Sequence, residues 1–283
     1  MQSVKDLTAL RKVIREWKQN GETIAIVPTM GNLHAGHLSL LEEASKLSDR
    51  TVVSIFVNPI QFGKGEDYQS YPSTLQDDRD KLEGAGLDLL FTPNLQELYP
   101  GGMDVDTRVN VPKISDILCG KSRPGHFSGV VTVVTKLLIN VTPDYALFGE
   151  KDFQQLIIIK RMVSDLCIPT EIIGMPIIRE DDGLAMSSRN SYLSQAERKL
   201  APAIYQSLLT AADKLGRGDT SFDDVESQGH AELESAGLKP EYFSIRRTSD
   251  LGEANSSDQQ ISVLVAAWLG SARLIDNIKV DLS

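Results

Sequence analysis

Residues 24–44 read IAIVPTMGNLHAGHLSLLEEA and contain a change from a strand pattern to a helix pattern. The apolar run ends at Pro28, and residues 36–48 then carry apolar side chains at helical spacing. Proline interrupts a strand and glycine permits a tight turn. We therefore expect the strand to stop at Pro28, and we expect Gly31 and Gly36 to bring the backbone close to a ligand.

Two of the four histidines of the chain, His34 and His37, lie in this turn. At a spacing of three they share one side of the first helical turn. Helix N-termini carry unsatisfied N–H groups and partial positive charge, so this position favours phosphate binding. A capping histidine beside a core histidine, or half of a metal site, fits the spacing as well. His126 and His230 lie in no recognisable ligand pattern, and the three interpretations stay open here.

Strand-like and helix-like runs alternate through the first 175 residues. The strand-like runs are residues 22–28, 51–57, 87–93 and 144–150. The helix-like runs are residues 1–17, 36–48, 73–84 with Ser73 or Thr74 as N-cap, 129–141 and 152–166. Continuous apolar strands separated by helices predict an α/β fold, a Rossmann-type doubly wound parallel sheet. Such a sheet binds ligands beyond the carboxyl ends of its strands.

The pattern changes after residue 176. The stretch 179–194 is polar and rich in turn formers. It is followed by two helical segments, 195–215 and 221–236, and three strand-like pieces, 241–247, 261–270 and 272–280. We therefore expect two domains, 1–176 and 177–283, of which the second is a smaller C-terminal α+β domain.

The sequence ALFGEKDFQQL, residues 146–156, follows a predicted strand. Lys151 can neutralise phosphate, and Asp152 can hold Mg²⁺ or a hydroxyl. Gln154 and Gln155 enter the next helix. A charged loop in which Asp152 is an ordinary N-cap explains the stretch equally well.

The sequence DGLAMSSRN, residues 182–190, combines adjacent hydroxyls with an arginine. Arg189 can bind a phosphate with two parallel hydrogen bonds, and Ser187 and Ser188 can add donors. A solvated turn is the alternative interpretation.

Neutral polar groups follow the second predicted strand. In FVNPIQFGKGEDYQSYP, residues 56–72, Asn58 and Gln61 are suited to binding hydroxyl, carboxylate or amide groups. The stretch 121–130 adds Arg123 and His126, which the chemistry of helix entry explains about as well as function does.

Composition restricts the classes of function. The net charge of −10 argues against unspecific nucleic-acid binding, because that affinity depends on Lys and Arg. Cys119 and Cys167 lie in no metal spacing, and no window resembles a signal peptide or a membrane span, so we expect a cytoplasmic protein. There is no GxxxxGK[ST] loop, which argues against a Walker-type mechanism. There is also no glycine-rich dinucleotide fingerprint after the first strand, which argues against NAD binding.

Five motifs together resemble the pantoate–β-alanine ligase (pantothenate synthetase) family. They are PTMGNLHAGH (28–37), FVNPIQF (56–62), SRPGHFSGV (122–130), FGEKDFQQL (148–156) and REDDGLAMSSRN (179–190). Within them, HAGH resembles the HxGH signature of the adenylyl- and nucleotidyl-transferring superfamily, and MSSRN resembles the counterpart of its KMSKS loop. The match runs in order through roughly residues 22–195.

The resemblance implies ATP-dependent ligation of pantoate to β-alanine through a pantoyl adenylate, with Mg²⁺ and a homodimeric enzyme. It implies an ATP- and pantoate-binding first domain and a lid formed by the second. It assigns catalysis to His34, His37, Lys151 and Arg189, pantoate binding to Gln61 (also near β-alanine) and Gln155, with Asn58 as a further candidate, and a metal contact to Asp152. The implied nucleotide contacts are Met30, Gly31, Asn32, Leu33, His34, Ala35, Gly36, His37, Gly149, Glu150, Lys151, Asp152, Ile178, Met186, Ser187, Ser188 and Arg189.

Three rivals remain at this stage. A nucleotidyltransferase would use the same HxGH chemistry on a phosphorylated acceptor and would form a dinucleotide product. A non-catalytic nucleotide sensor would keep the fold and bind ATP without forming pyrophosphate. An aminoacyl-tRNA synthetase is disfavoured because the chain is short, acidic and has no evident tRNA-binding appendage. The segments at 56–62 and 148–156 favour the ligase.

Overall fold

The structure, a computed structural model, describes residues 1–63, 65–72, 74–218 and 221–282. The chain divides into two compact units, Met1–Glu150 with Ile158–Pro176, and Lys151–Ile157 with Ile177–Ser283. None of the helices in the described parts of the chain is long and apolar enough to cross a membrane.

The first unit is built on a parallel sheet, as the sequence predicts, and the sheet has six strands rather than the four that the sequence indicates. Its strands are β1 (Gln2–Val4), β2 (Ile24–Thr29), β3 (Arg50–Ile55), β4 (Leu89–Phe91), β5 (Tyr145–Gly149) and β6 (Glu171–Met175). The strand order is β1-β4-β3-β2-β5-β6, and every pair is parallel. From β2 the chain proceeds outward in one direction through β3 and β4, and β5 then starts the other half. The topological switch point of this doubly wound sheet therefore lies between β2 and β5.

Helices connect these strands. They are α1 (Leu7–Gln19), α2 (Ala35–Leu47), α3 (Leu75–Gly84), α4 (Leu95–Leu98), α5 (Cys119–Ser122), α6 (His126–Val141) and α7 (Phe153–Asp165), the last of which has its first five residues in the second unit. Leu40, Leu41 and Ala44 of α2 are buried against Ala25 and Val27 of β2 in a continuous apolar cluster. The valine-rich α6 is a helix because most of its residues are buried, and burial overrides the modest helix propensity of valine.

Two strands of this unit differ from the sequence prediction. Residues 1–17 are not one helix: Gln2–Val4 pairs with β4, and α1 starts after Asp6, whose Oδ1 accepts the N–H of Ala9 at 2.7 Å. A three-residue edge strand is too short to show an alternating pattern. The predicted pattern also omits β6. The N-cap of α3 is Thr74, one of the two residues expected there, and the other, Ser73, lies outside the described residues.

Pro28 does not end β2, contrary to the prediction. The strand continues to Thr29, with Pro28 opposite Ser54 of β3. On its other side β2 pairs with β5 only at Ala25 and Ile26. At Pro28 the strand therefore has a partner on one side only, and the missing N–H removes no hydrogen bond to β5.

The second unit contains an antiparallel three-stranded sheet covered by helices. Its elements are α8 (Gln195–Leu200), α9 (Ala203–Arg217), α10 (Phe222–Ser235), β7 (Lys239–Arg247), β8 (Gln260–Leu269) and β9 (Ala272–Asp281). This matches the predicted α+β pattern, except that the segment 195–215 is two helices. Pro202 separates them, because proline lacks the N–H that a continuous helix needs.

Candidate active site

The turn between β2 and α2 contains two consecutive residues in the left-handed region. Gly31 has φ +83° and Asn32 has φ +51°. A Cβ on Gly31 would lie 3.1 Å from both Asp78 Oδ2 and Ile55 Cγ2, so the position also lacks room for a side chain. Gly36, which we expected to help form the turn, is instead the second residue of α2. The turn therefore depends on Gly31 and Asn32, and the helix starts one residue earlier than predicted.

A carboxylate from α3 holds this turn in place. Asp78 is 1% exposed, and its Oδ2 and Oδ1 accept the backbone N–H groups of Asn32 and Leu33 at 2.8 and 2.7 Å. Lys81, one helical turn later, donates to the carbonyl of Leu33 at 2.7 Å. These contacts connect α3 to three backbone groups of the turn. The sequence does not reveal Asp78, because it lies in an ordinary acidic helical stretch, QDDRD.

His34 and His37 occupy the first turn of α2 together. His34 is the N-cap, in extended backbone, and His37 is the third helical residue. The Nδ1 of His37 accepts the backbone N–H of His34 at 3.3 Å, and the two ring centroids lie 4.1 Å apart. An accepting Nδ1 assigns the proton of a neutral His37 imidazole to Nε2. The pair therefore caps the helix, and capping and phosphate binding are compatible uses of the same two rings.

Gln61 and Asn58 are packed side by side after β3, in the 3-10 turn Pro59–Gln61 and directly before it. The Nδ2 of Asn58 donates to Gln61 Oε1 at 3.1 Å and to the carbonyl of Gly129 at 3.1 Å. The buried Tyr99 hydroxyl donates to Asn58 Oδ1 at 3.0 Å, and burial raises the pKa of Tyr99 to about 12. Asn58 is 1% exposed and makes three bonds within the protein. Its geometry fits orientation of Gln61 better than direct contact with a substrate.

The Gln61 side chain has a fixed orientation. Its Nε2 contacts the sulfur of Met30 at 2.9 Å, while its Oε1 accepts from Asn58. A primary amide has two N–H groups and an oxygen with two lone pairs. These two bonds fix the plane of the amide and use half of its hydrogen-bonding capacity.

Gly129 of α6 permits the close approach of this turn. A Cβ at Gly129 would lie 2.7 Å from both the Cα and the N of Gln61 and 2.8 Å from the carbonyl carbon of Ile60. These are backbone atoms, so no side-chain rotation relieves the overlap. Gly129, the second glycine of SRPGHFSGV, is therefore required by packing against the Gln61 backbone.

A chain of polar contacts holds the same turn from the other side. Glu66 binds Arg123 with two hydrogen bonds, at 2.8 and 2.6 Å. Arg123 contacts His126 Nε2 at 3.0 Å, and His126 Nδ1 contacts the carbonyl of Gln61 at 2.7 Å. Burial alone would raise the pKa of Glu66, but the Arg123 guanidinium outweighs burial and holds that pKa below its usual value. Arg123 and His126 thus position Gln61, and Glu66 is a partner that the sequence did not single out.

Lys151 and Asp152 lie in a 3-10 turn, Glu150–Asp152, directly after β5 and Gly149. The carbonyl of Lys151 accepts the side-chain N–H of Asn277, from β9, at 3.1 Å. In the following helix Gln154 is buried and Gln155 is partly exposed. Within the second unit, Lys151 is thus held through its backbone by the C-terminal sheet.

The stretch 178–190 forms a tight loop rather than an unrestrained solvated turn. Arg179 and Ala185 form an antiparallel bridge, and Met186 donates its N–H to the carbonyl of Ile178 at 2.9 Å. Ser187 caps the 3-10 helix Ser188–Tyr192, and its Oγ accepts the N–H of Arg189 at 3.3 Å. The backbone that carries the predicted phosphate contacts is therefore ordered by its own hydrogen bonds.

The structure groups the predicted site residues into two sets. The first unit holds the histidine turn, Asn58, Gln61 and Gly149–Glu150, and the second unit holds Lys151, Asp152, Gln155 and residues 178–189. Among the described residues no group of three or more His, Cys, Asp or Glu side chains is arranged to hold a metal ion.

Substitution of Asp78 tests the origin of the turn. We expect Asp78→Asn to lower the free energy of unfolding by about 1–3 kcal/mol, because an amide accepts only one of the two buried N–H groups and points a donor at the other. The control is Asp80→Asn, an exposed carboxylate on the same helix, which should change stability by less than about 0.5 kcal/mol. Equal effects of the two substitutions in urea unfolding would contradict this account.

Comparison with known proteins agrees with the motifs. The Pantoate-beta-alanine ligase family model matches residues 2–279. The chain is 51% identical over 280 residues to the pantothenate synthetase of Marinobacter nauticus, with 99% of each chain covered. It is 50% identical over 282 residues to that of Pseudomonas aeruginosa, with 100% of each covered.

Solved structures give the same result. Pantothenate synthetase from Thermus thermophilus superposes with a TM-score of 0.91 at 43% identity, covering 98% of this chain and 99% of that one. The pantoate–β-alanine ligase of Francisella tularensis, solved in complex with beta-gamma ATP and β-alanine, gives 0.82 at 37% identity, covering 98% and 97%. The fold class, the resemblance and the enzyme class expected from the sequence are confirmed. The chain belongs to the pantoate–β-alanine ligase family.

Proposed function

We propose that the protein carries out the family reaction in two steps on the residues placed above. In the first step a pantoate carboxylate oxygen attacks the α-phosphorus of ATP and expels pyrophosphate. In the second, the β-alanine amine attacks the acyl carbon, loses a proton and expels AMP, which leaves pantothenate. The observation that carries the proposal is the match of the family over residues 2–279, with the HAGH turn following β2 at the switch point of the sheet.

Both the nucleophile and the electrophile of each step come from substrates, so the protein needs to position them and to stabilise negative charge. In the first unit this role falls to the start of α2. His34 and His37, with backbone N–H groups near the helix N-terminus, bind the phosphates as charge accumulates on the leaving pyrophosphate. The Nε2–H of His37, assigned by its Nδ1 contact, is the donor suited to this task.

In the second unit Lys151, Ser187, Ser188 and Arg189 add further phosphate donors. Together with His34 and His37 they form the set that we call the phosphate clamp. A lysine ammonium acts as a point charge, and an arginine adds two parallel hydrogen bonds. Ile178, Met186 and the 149–152 backbone complete the nucleotide contacts that the resemblance assigns. We propose that both sets of residues bind the same ATP molecule.

Pantoate is held by amides. The half of the Gln61 amide not used by Met30 and Asn58 binds pantoate and lies near β-alanine, and Gln155 supplies the second amide. Neutral amides bind hydroxyl and carboxylate oxygens without forming a tight ion pair that would weaken the attacking carboxylate. Asn58, with its three internal hydrogen bonds, orients Gln61.

Mg²⁺ fits the donor set. The cation is usually held by one or two carboxylates together with substrate phosphates and water, rather than by a cage of protein ligands. Asp152 supplies a single exposed carboxylate directly after Lys151, and no larger cluster occurs in the described residues. Bound there, Mg²⁺ would neutralise phosphate charge.

We further propose a cytoplasmic homodimer in which the domain 1–176 binds ATP and pantoate and the domain 177–283 acts as the lid.

The direct test is product analysis. The protein is incubated with ATP, Mg²⁺ and pantoate, with and without β-alanine, and AMP, pyrophosphate and pantothenate are measured. We expect one AMP and one pyrophosphate for each pantothenate, with sustained AMP release only when β-alanine is present. A dinucleotide product would support the nucleotidyltransferase, and ATP binding with no pyrophosphate would support the nucleotide sensor.

The clamp predicts large effects on turnover. His37→Ala or Lys151→Ala should lower kcat by about 100-fold or more, because each removes a donor to charge that develops in the transition state. His230→Ala and Lys160→Ala, on partly exposed and exposed helical positions, serve as matched controls and should keep kcat within about 2-fold. Near-normal kcat in both site variants, with the fold verified by circular dichroism, would remove these two residues from the clamp.

The packing of Gly129 predicts an effect on pantoate. Gly129→Ala forces the Gln61 backbone to move, so the KM for pantoate should rise on the order of 10-fold, with a smaller change for ATP. Gly216→Ala is the control, because a Cβ at this helical glycine meets nothing within 4 Å. If Gly129→Ala folds and its KM for pantoate equals that of Gly216→Ala, Gln61 does not bind pantoate in the proposed way.

A further inference from the structure

Two consecutive polar residues are buried in the middle of β9, the last strand of the second unit. Asp276 is 2% exposed and Asn277 is 4% exposed. Side chains alternate along a strand, and Asp276 shares the face of Leu274 and Val280, which belong to the apolar core of this unit. Asn277 takes the opposite face. The two residues therefore address different neighbours.

Asp276 binds Arg179 of the 178–190 loop. The two guanidinium nitrogens donate to the two carboxylate oxygens at 2.6 and 3.0 Å. The same Arg179 donates to the carbonyl of Gly183 at 3.0 Å, and its guanidinium lies 3.7 Å from the centre of the Tyr205 ring of α9. Gly183 has φ +92°, and a Cβ there would lie 2.5 Å from the Tyr205 ring. Arg179 is thus fixed on three sides.

Hydrogen bonds within the 178–190 loop connect the fixed Arg179 to the clamp residues Ser187–Arg189. Glu180 donates its N–H to Leu184, whose side chain lies in the core. The Arg179–Ala185 bridge and the Met186–Ile178 hydrogen bond then close a narrow hairpin whose next residue is Ser187. Arg179 and Asp276 therefore determine the direction in which the chain leaves the hairpin at Ser187–Arg189.

Asn277 contacts the turn Glu150–Asp152, which carries the second cationic side chain of the clamp, Lys151. Its side-chain N–H donates to the carbonyl of Lys151 at 3.1 Å. Lys279, on the same face of β9, lies with its ammonium 5.3 Å from the centre of the Phe153 ring. The backbone of Asn277 also donates to Asp276 Oδ1 at 2.8 Å, which couples the two polar residues directly.

An ion pair at this depth is a poor source of stability. Burial raises the pKa of Asp276 above its ordinary value, and the facing charges of Arg179 and Lys151 offset this only in part. Replacing a buried ion pair with apolar residues is often neutral or stabilising. A structural role alone therefore gives a weak reason for a carboxylate at this position.

We propose that Asp276 and Asn277 are positioning residues for the phosphate clamp. Asp276 acts through Arg179 on the loop that carries Met186–Arg189, and Asn277 acts on the backbone of Lys151, so one strand sets the spacing of the two cationic segments. The proposal rests on the assignment of Lys151 and Arg189 to ATP phosphates. Neither β9 residue touches the substrate in this account.

The test uses the full-length protein and four single variants. Asp276→Asn and Arg179→Gln break the ion pair, and Asn277→Leu removes the side-chain hydrogen bond to the Lys151 carbonyl while keeping the ion pair. The control is Glu241→Gln, which breaks the ion pair between Glu241 and Arg273, a residue three positions before Asp276 on β9, at 2.7 Å. We measure the dissociation constant of ATP by calorimetry, and kcat with the KM of each substrate, well below every melting temperature.

We expect Asp276→Asn, Arg179→Gln and Asn277→Leu each to weaken ATP binding and lower kcat on the order of 10-fold, while the KM for pantoate stays within about 2-fold. The double variant Asp276→Asn with Arg179→Gln should lose no more than either single variant, because both act through one ion pair. Glu241→Gln should lower the melting temperature without weakening ATP binding. A merely structural role would not separate ATP from pantoate in this way.

Unchanged ATP binding and kcat in folded Asn277→Leu and in Asp276→Asn or Arg179→Gln would overturn the proposal. So would an equal loss in Glu241→Gln. If the ion-pair variants do not fold, Asn277→Leu, which keeps the ion pair, decides the question. Failure of the ligase reaction itself shows separately, because the unsubstituted protein would then form no pantothenate while ATP affinity still compares the variants.

Discussion

The buried carboxylate of Asp78 is the interaction on which the active-site end of the sheet depends. The chain must leave β2, reverse and start α2 within a few residues, and this leaves the N–H groups of Asn32 and Leu33 inside the protein. Unpaired buried N–H groups are strongly destabilising. Asp78 accepts both of them. The start of α2, and hence the orientation of His34 and His37, follows from this one contact between α3 and the turn.

The same principle applies around Gln61. Its peptide backbone approaches α6 closely because residue 129 is glycine, and its carbonyl accepts from His126, which is held by Arg123 and Glu66. Its side chain is oriented by Asn58. A neutral amide binds weakly unless it is oriented in advance, and preorganisation reduces the entropy lost when a substrate binds. If Gln61 binds pantoate as proposed, this polar network holds its amide in place before the substrate binds.

Much of the fold could be predicted from the sequence because the strands are continuous apolar runs and the loops contain strong turn signals. The parallel sheet, α2, α6 and all three C-terminal strands follow from such patterns. The edge strand β1 and the strand β6 did not, because they are short and lack a diagnostic period. The extension of β2 through Pro28 depends on where β5 stops pairing, which is a property of the tertiary structure.

The candidate site, like the fold, could be predicted from the sequence only in part. Motif residues such as His34, His37, Lys151 and Arg189 are visible because their chemistry and spacing are unusual. The residues that hold the backbone around such motifs are not visible in this way. Asp78, Asp276 and Asn277 are far from the motifs in sequence, and Glu66, which supports the Gln61 turn through Arg123 and His126, follows FVNPIQF by four residues in an ordinary acidic stretch. Gly36 was assigned to the turn when the left-handed residues are Gly31 and Asn32, since a glycine in sequence does not say which φ it adopts.

Transfer of a pantoate oxygen to AMP tests the central claim most directly. Pantoate labelled with ¹⁸O in both carboxylate oxygens is converted in the presence of unlabelled ATP and β-alanine, and the products are analysed by mass spectrometry and ³¹P NMR. If the carboxylate attacks the α-phosphorus, one ¹⁸O appears in the phosphate of each AMP and one stays in the pantothenate amide. AMP without ¹⁸O, or label in phosphate or pyrophosphate instead, would contradict an acyl-adenylate mechanism.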